Sequence, residues 1–154
     1  MDVLEQAQKL REIPLFSALD KSQLKLLAFT SEVFSYDAGD YLFYQDEVAD
    51  GIYVVLDGNV SVVDESTEEP VLLARKTPGA LLGEMAVLRK VRRSAAVRVD
   101  SEALVLKISA ERFIDLITGT PEIALYVLKD ISTRLEDASK ELAELKLRQS
   151  HASN

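Results

Sequence analysis

The sequence predicts an α+β fold in which a roll of short antiparallel strands is flanked by helices at both ends. The chain has 154 residues and is 47% hydrophobic, which is enough for one packed domain spanning 1–154. Short β-rich runs fill positions 31–108, and helical patterns with capping signals occupy about 2–29 and 110–149. Many short strands at this spacing are typical of an antiparallel barrel or jelly roll rather than a parallel sheet.

The N-terminal segment is predicted to form two short helices. Asp20 followed by Gln23 matches a capping box, and the leucines that come next supply an apolar face. Pro14 interrupts the helical pattern, because proline lacks the backbone N–H that a helix interior needs. We therefore expect an earlier helix near residues 2–10 to be separated from the one that begins after Asp20.

The middle of the chain is predicted to form strands separated by turn residues. Asp57-Gly58 lies between two apolar runs and predicts a hairpin joining them. The polar, acidic stretch 64–70 is expected to be the exposed tip of another hairpin. The predicted strands are 33–36, 41–44, 51–56, 60–63, 71–74, 95–99 and 104–108.

The last third of the chain returns to a helical pattern. Ser109 is a suitable cap for a helix over 111–118, and Gly119 is suited to end it. Thr120-Pro121 is then a strong start signal for a second helix, which meets no breaker until about Ser150. Such a helix is roughly 42 Å long at 1.5 Å per residue. We expect His151, the single histidine, to lie in an unstructured tail.

The long helix contains apolar residues with alternating spacings of three and four, which form a heptad seam. In this frame Glu141 occupies a g position and Lys146 the following e position, an attractive pair across a parallel dimer. We expect a homodimer through this seam, because its apolar stripe is narrower than that of a helix covering a globular core. The alternative is one amphipathic helix lying on the strands. The seam residues are Leu128, Ile131, Leu135, Ala138, Leu142 and Leu145.

Charge and composition exclude several classes of protein. The formal net charge is −8, whereas a duplex-binding protein normally shows a basic face, so no DNA partner is expected. Without cysteine there is neither a disulfide nor a thiolate metal site, and no metal is expected. No apolar run approaches the roughly 18 residues of a membrane span, and no signal peptide is recognisable. We therefore expect a cytoplasmic protein that contacts neither membrane nor DNA.

The segment from Gly83 to Ala96 has the composition of an anion-binding site. Glu84 stands among small and apolar residues, and its carboxylate is suited to accept from vicinal sugar hydroxyls. Arg93 precedes a run of small residues, and an arginine fork is suited to a phosphate. Gly83 allows backbone N–H groups to approach an anion closely. These features fit a ribose phosphate, although a surface turn with a solvated charge run explains them too.

The same residues resemble the phosphate-binding cassette of the cyclic-nucleotide-binding domain family, which includes the catabolite activator protein and the regulatory subunits of protein kinase A. The resemblance rests on 83–86, on the nine-residue spacing from Glu84 to Arg93, and on the Ser94-Ala95 that follow. It extends over about 14–145, where the glycine pattern of the strands is also similar. The resemblance implies the same fold and a non-catalytic protein that binds a cyclic nucleotide.

Residue roles follow from the resemblance. Glu84 matches the glutamate that accepts from the ribose 2′-hydroxyl, and Arg93 matches the arginine that pairs with the cyclic phosphate, so we treat the two as one unit. Ser139 matches a serine that reaches the adenine across the dimer. The full set of residues expected to bind the ligand is Leu82, Gly83, Glu84, Met85, Ala86, Arg93, Ser94, Ala95, Ala96 and Ser139.

The resemblance also bears on which base is bound, whereas it identifies no downstream protein partner. Several cGMP-selective members have threonine where this chain has Ala96, so cAMP is favoured over cGMP. Ala138 replaces a threonine that contacts adenine in the catabolite activator protein. The basic loop 89–92 stands where many members have glycine and proline, and it fits either a more anionic cyclic dinucleotide or solvent. A structural dimerisation module without ligand is the remaining alternative. A phosphodiesterase is not expected, because the cassette has no cluster of acids.

Overall fold

The computed structural model describes residues 2–152 and contains two four-stranded sheets with helices before, between and after the strands. The helices are α1 (Val3–Arg11), α2 (Lys21–Thr30), α3 (Glu84–Arg89), α4 (Ala110–Gly119) and α5 (Pro121–Ala152), with a 3-10 turn at Pro14–Phe16 between the first two. The strands are β1 (Glu32–Tyr36), β2 (Tyr41–Phe43), β3 (Gly51–Asp57), β4 (Val60–Asp64), β5 (Val71–Lys76), β6 (Leu81–Leu82), β7 (Ala96–Val99) and β8 (Ala103–Ser109).

The two sheets are antiparallel and do not close into a barrel. One has the strand order β1-β8-β3-β6, and the other has the order β2-β7-β4-β5. Each described sheet therefore ends in two edge strands, where a closed barrel has none. The expected antiparallel strands flanked by helices are present, but the expected barrel is corrected to two separate sheets. Strand β6 was absent from the sequence prediction, because two residues are too short for a periodic pattern.

The predicted hairpin at Asp57-Gly58 is wrong. Strand β3 pairs with β8 and β6, whereas β4 pairs with β5 and β7 in the other sheet. Gly58 does adopt a positive φ of 83°, and a side chain there would collide with the Ala103 backbone. Gly58 thus ends β3 in a left-handed conformation, and each of the two strands pairs with partners in its own sheet. The second hairpin is confirmed, because β4 and β5 pair from Val60 opposite Lys76 to Asp64 opposite Val71.

The period-two alternation of β3 and β8 builds the core in two layers. Even-numbered residues, such as Ile52 and Leu106, pack with the helices in one cluster. Odd-numbered residues, such as Val55 and Val105, pack with β2, β4 and β7 in a second cluster between the sheets. Both sides of these two strands are therefore buried, because successive side chains in a strand point to opposite faces.

The predicted helix caps are confirmed. The Asp20 carboxylate accepts from the Gln23 backbone N–H at 2.8 Å, and the Gln23 side chain accepts from the Asp20 backbone N–H at 2.9 Å. Ser109 Oγ accepts from the Arg112 backbone N–H at 3.2 Å and begins α4. Each cap satisfies a helix N–H that has no intrahelical partner, so local sequence sets where these helices begin.

Helix α5 has two unlike halves. Up to Arg134 it packs on the domain, with Ile123 and Val127 buried in the core. From Leu135 to His151 every residue is exposed. The helix also runs past the predicted end at about Ser150, and His151 is helical, so the prediction of an unstructured histidine is wrong. A helix lying on the strands along its whole length is excluded. Within residues 2–152, no helix combines the length and the apolar character needed to cross a membrane.

Candidate functional site

The Gly83–Ala96 segment folds as a short helix, a tight loop and the start of β7. Gly83 precedes α3 with a positive φ of 82°. A Cβ atom at this position would collide with the Arg93 guanidinium. Glycine is therefore required twice over at this position, for its backbone conformation and for the space that the arginine occupies.

Arg93 is a buried cation held by backbone carbonyls. Its Nη1 donates to the Gly83 carbonyl at 2.8 Å, and its Nη2 donates to the Gly51 carbonyl at 2.6 Å. The guanidinium lies 4.1 Å above the centre of the Phe43 ring, and the Asp50 carboxylate is 4.0 Å from Nη2. Burial lowers the pKa of Arg93 below its usual value, and nearby acids including Asp50 oppose that shift. The side chain is only 2% exposed, and among residues 2–152 its Nε has no hydrogen-bond partner.

Glu84 is a buried carboxylate whose partner comes from the long helix. Its side chain is 1% exposed and forms an ion pair with Nη2 of Arg134. The same nitrogen lies 3.1 Å from the Asp130 carboxylate, one turn earlier on α5. The prediction that Glu84 and Arg93 form one unit is corrected, because each has its own partners. A buried carboxylate needs a cation or donors, and α5 supplies the cation.

A cavity of about 140 Å³ lies between α3, the sheet that contains β2 and β7, and α5. Of the residues predicted to bind ligand, those lining it are Leu82, Gly83, Glu84, Met85, Ala86, Arg93, Ser94 and Ala95. Ala96 is 1% exposed within β7 and is not part of the lining. Ser139 lies beyond Arg134 on the exposed half of α5, outside the cavity.

Sequence reasoning missed lining residues that come from other parts of the chain. No local pattern distinguished them, since they belong to different strands of one sheet. They are Phe43, Val62, Lys76 and Val97. Arg134 also lines the cavity, and the resemblance had matched Arg134-Leu135 to long-helix residues that the family places over the base.

The site has the chemistry of a receptor for a small anion that also has hydroxyl groups. Arg93 and Lys76 supply positive charge at the cavity, and Ser94 supplies a hydroxyl. Glu84 supplies a carboxylate acceptor, one oxygen of which is paired with Arg134. The cavity is smaller than the roughly 300–1,000 Å³ typical of ligand pockets. A nucleotide-sized ligand therefore fits only if Arg134 moves or if part of the ligand projects outward.

The family of the chain follows from this geometry together with sequence comparison. Residues 33–119 match the family model of the cyclic nucleotide-binding domain. These residues make up more than half of the chain and include both sheets from Val33 onward, α3 and α4. The chain belongs to the cyclic nucleotide-binding domain family.

Individual relatives agree with the family match. An uncharacterized NTE family protein of Mycobacterium tuberculosis is 32% identical over 129 residues, which are 84% of this chain and 22% of the relative. A cAMP-dependent protein kinase regulatory subunit of Emericella nidulans is 30% identical over 104 residues, 68% of this chain and 25% of the relative. The chain thus spans a quarter or less of the length of these relatives. The crystal structure of the Thermus thermophilus catabolite activator protein superposes with a TM-score of 0.74 at 28% identity, covering 86% of this chain and 63% of that one.

Proposed function

We propose that this chain is a non-catalytic regulatory module that binds a cyclic nucleotide, with cAMP favoured over cGMP, and that it dimerises through α5. The observation that carries the ligand proposal is the pair of buried charges at one small cavity. Arg93 and Glu84 are 2% and 1% exposed, and both line the cavity. Burying charges costs several kcal/mol per ion, so their placement favours a recognition role over a packing role.

Arg93 is the proposed phosphate ligand. Two of its guanidinium nitrogens are fixed by the carbonyls of Gly83 and Gly51, which set its orientation before a ligand arrives. Its Nε is buried without a partner among the described residues, which leaves one donor of the guanidinium unsatisfied. A preorganised arginine loses little entropy on binding, which strengthens a charge-assisted contact.

Glu84 is the proposed acceptor for the ribose hydroxyl. In the structure Arg134 pairs with one carboxylate oxygen, Oε1, so a sugar hydroxyl would bind beside this arginine or in its place. Because Arg134 belongs to α5, sugar binding would change what holds that helix against α3. We infer that the ligand shifts α5 between two arrangements, and that Arg134 is the residue that transmits the change.

Two observations support the preference for cAMP. Ala96 offers no hydroxyl to a guanine amino group, and the relative from Emericella nidulans is named as the regulatory subunit of a cAMP-dependent kinase. Ser139 is fully outside the cavity, so its contact with a base requires a second chain. The preference for cAMP, the contact of Ser139 with a base and the cytoplasmic location all stay predictions.

Dimerisation through α5 is supported by its exposed leucines. Leu128, Leu135, Leu142 and Leu145 are between 52% and 67% exposed and share the predicted seam. Only Ile131, which packs partly against the core, contributes to the domain itself. A row of large apolar side chains in water is costly, and pairing two such helices buries it.

Isothermal titration calorimetry with cAMP and cGMP tests the ligand proposal. We expect wild type to bind cAMP more tightly than cGMP, and Arg93→Leu to weaken cAMP binding by about a hundredfold because a charge-assisted contact is lost. Arg89→Leu is the matched control. That arginine is exposed, ends α3 and lies outside the cavity lining, so the affinity should stay within about twofold of wild type. Unchanged binding in Arg93→Leu would remove its assigned role.

The alternatives predict other outcomes in a thermal-shift panel of cyclic mononucleotides and dinucleotides. A response to a cyclic dinucleotide alone would replace the cAMP proposal and assign a function to the basic loop 89–92. No response to any member of the panel would favour a structural module that has kept the fold without the ligand. A response to cAMP with stronger cGMP binding would overturn only the base preference.

Light scattering tests dimerisation independently of the ligand. We expect the mass of a dimer, twice 17.1 kDa, for the full chain and that of a monomer for a chain lacking about the last 15 residues. A full-length chain that stays monomeric at about 100 µM would exclude a functional seam, since specific dimers associate well below that concentration.

A further inference from the structure

A second concave surface, which we call the α3–α4 groove, lies on the outer side of the cassette. Its volume is about 470 Å³, larger than that of the cavity at Glu84 and Arg93. Its apolar walls come from α3, from α4 and from the segment before β3. Val48, Val91 and Ile114 are 67%, 42% and 39% exposed and all line it. Three branched apolar side chains thus converge on a surface that faces water.

The rim of the α3–α4 groove is basic, although the chain is acidic. Lys90 and Arg92 line it, and Arg89 lies next to them in sequence, whereas Glu111 is the one acid in the lining. Across residues 2–152, none of these three basic side chains forms an ion pair. The rest of the chain must offset them to reach a net charge of −8. The lining of the groove therefore carries two basic side chains against one acid, a local excess of positive charge.

The loop that displays these residues is fixed by its backbone. Lys90 has a φ of 56°, a left-handed conformation that glycine adopts without penalty and lysine does not. The Val91 N–H donates to the Ala86 carbonyl at 3.1 Å, and Arg92 Nη1 donates to the Asp46 carbonyl at 2.9 Å. Strained positions that the surroundings hold in place are concentrated at functional sites. The loop thus presents a lysine at a position where glycine would relieve the strain.

We propose that the α3–α4 groove docks a segment of a partner protein, an amphipathic helix whose apolar anchors are flanked by carboxylates. Val48, Val91 and Ile114 match the anchors, and the basic rim matches the carboxylates. A helix laid in an apolar groove is a recurrent mode of peptide recognition. Nucleic acid is disfavoured, because the lining has no aromatic residue for stacking and the chain as a whole is acidic. A flat membrane does not fill a concave surface.

The groove is built from the same elements as the ligand cavity. Ala86 lines both, and Arg92 and Arg93 are adjacent residues that face the groove and the cavity respectively. The Arg93 backbone N–H donates to the Glu47 carbonyl at 2.9 Å, beside Val48 in the groove wall. The affinity for a docked partner would therefore depend on the conformation of the cassette. Docking goes beyond the proposed function and does not require that a nucleotide bind.

Titration of the 15N-labelled full chain with a defined peptide tests the docking proposal by NMR. The probe is an amphipathic peptide of about 16 residues, with leucines on one face and glutamates on the other. The control peptide has lysine in place of every glutamate. We expect amide shifts at Val48, Val91 and Ile114 with the acidic peptide, and binding about tenfold weaker with the basic one.

Variants assign the binding to the groove. Lys90→Glu/Arg92→Glu should weaken binding of the acidic peptide about tenfold and strengthen binding of the basic peptide. Arg75→Glu/Lys129→Glu, a pair of equal charge change on exposed positions elsewhere, should leave both unchanged within about twofold. Val91→Ser should weaken the acidic peptide about fivefold with no change in charge. A dispersed spectrum for each variant checks that it is folded.

Several outcomes would overturn the docking proposal. Equal affinity for the two peptides would exclude charge complementarity, and shifts confined to α5 would place the contact on the leucine seam. No groove shift at about 2 mM peptide would exclude a specific site, since that concentration detects contacts weaker than useful recognition. Groove shifts on addition of phosphatidylserine vesicles or duplex DNA, without shifts from the peptide, would assign the surface to that partner instead.

Discussion

The cassette and the outer half of α5 depart from the usual distribution of residues in opposite directions. The cassette buries charges, since Glu84 and Arg93 are almost completely removed from solvent. The outer half of α5 exposes large apolar side chains, such as Leu135 at 67% and Leu142 at 54%. One region places charge inside the protein, and the other places leucine in water.

The two departures differ in how far the chain compensates them. Each buried charge has partners within the domain, namely Arg134 for Glu84 and backbone carbonyls for Arg93. Within the described residues, the outer leucines belong to neither of the two apolar clusters of the core. A buried charge needs partners even before a ligand binds, because leaving it unpaired is strongly destabilising. An exposed leucine does not need its partner for the domain to fold, because exposing it to water costs only a moderate free energy.

The largest expected effect comes from replacing the exposed leucines of α5. Leu135→Glu/Leu142→Glu should weaken self-association by more than about a thousandfold, because four leucines per dimer lose their burial and charges are added. Leu147→Glu is the control, since Leu147 is equally exposed but lies outside the seam. Sedimentation velocity measures both. If Leu147→Glu separates the chains as well, the seam is wrongly placed.

The next largest effect comes from removing the cation that pairs with the buried Glu84. Arg134→Ala should lower the free energy of unfolding by about 2 kcal/mol, because Glu84 is left buried without its cation. Adding Glu84→Gln should recover part of that loss, which urea unfolding of the double-mutant cycle measures. Lys140→Ala, which removes a surface pair with Glu136 at 3.3 Å, should cost no more than about 0.5 kcal/mol. Additive effects at Glu84 and Arg134 would show that their contact contributes nothing.

A glycine pair separates crowding at the site from backbone strain. Gly83→Ala should destabilise the domain by about 2 kcal/mol, since it adds both left-handed strain and a collision with Arg93. Gly79→Ala has a similar φ of 93° but open space around it, so strain alone should cost about 1 kcal/mol. Thermal unfolding compares them. Equal losses would mean that Arg93 moves aside freely and is not rigidly held.

The smallest effect provides a surface reference for the buried pairs. Lys107 donates to the Asp50 carboxylate at 2.8 Å, and this hydrogen bond holds the pKa of Asp50 below its ordinary value of 3.8. A lowered carboxyl pKa contributes stability above the ordinary value, and the contribution is lost as the pH falls through the folded-state pKa. Asp50→Asn should therefore cost less than about 1 kcal/mol at pH 7, and this cost should shrink as the pH falls through the folded-state pKa. Urea unfolding at several pH values checks this, and a difference that persists in acid would contradict it.

Sequence reasoning succeeded where a feature depends on neighbouring residues and failed where it depends on distant ones. The Asp20 and Ser109 caps are confirmed, because each bonds a backbone group three residues away. The hairpin at Asp57-Gly58 is wrong, because the pairing of β3 and β4 was settled by strands elsewhere in the chain. The cassette residues were located by their sequence pattern. The cavity is also lined by Phe43, Val62 and Lys76, which lie in strands whose sequence carries no binding motif.

By itself the sequence determined the helices at both ends, most of the strands and the position of the cassette, but not β6. Spacing, capping and a short motif specify these within a few positions, since the interactions that fix them are local. Only the tertiary structure decided that the strands form two sheets, that Glu84 pairs with Arg134 fifty positions away, and that the basic loop borders an apolar groove. The physical reason is that burial and ion pairing depend on the packing of the whole chain, which no local pattern records.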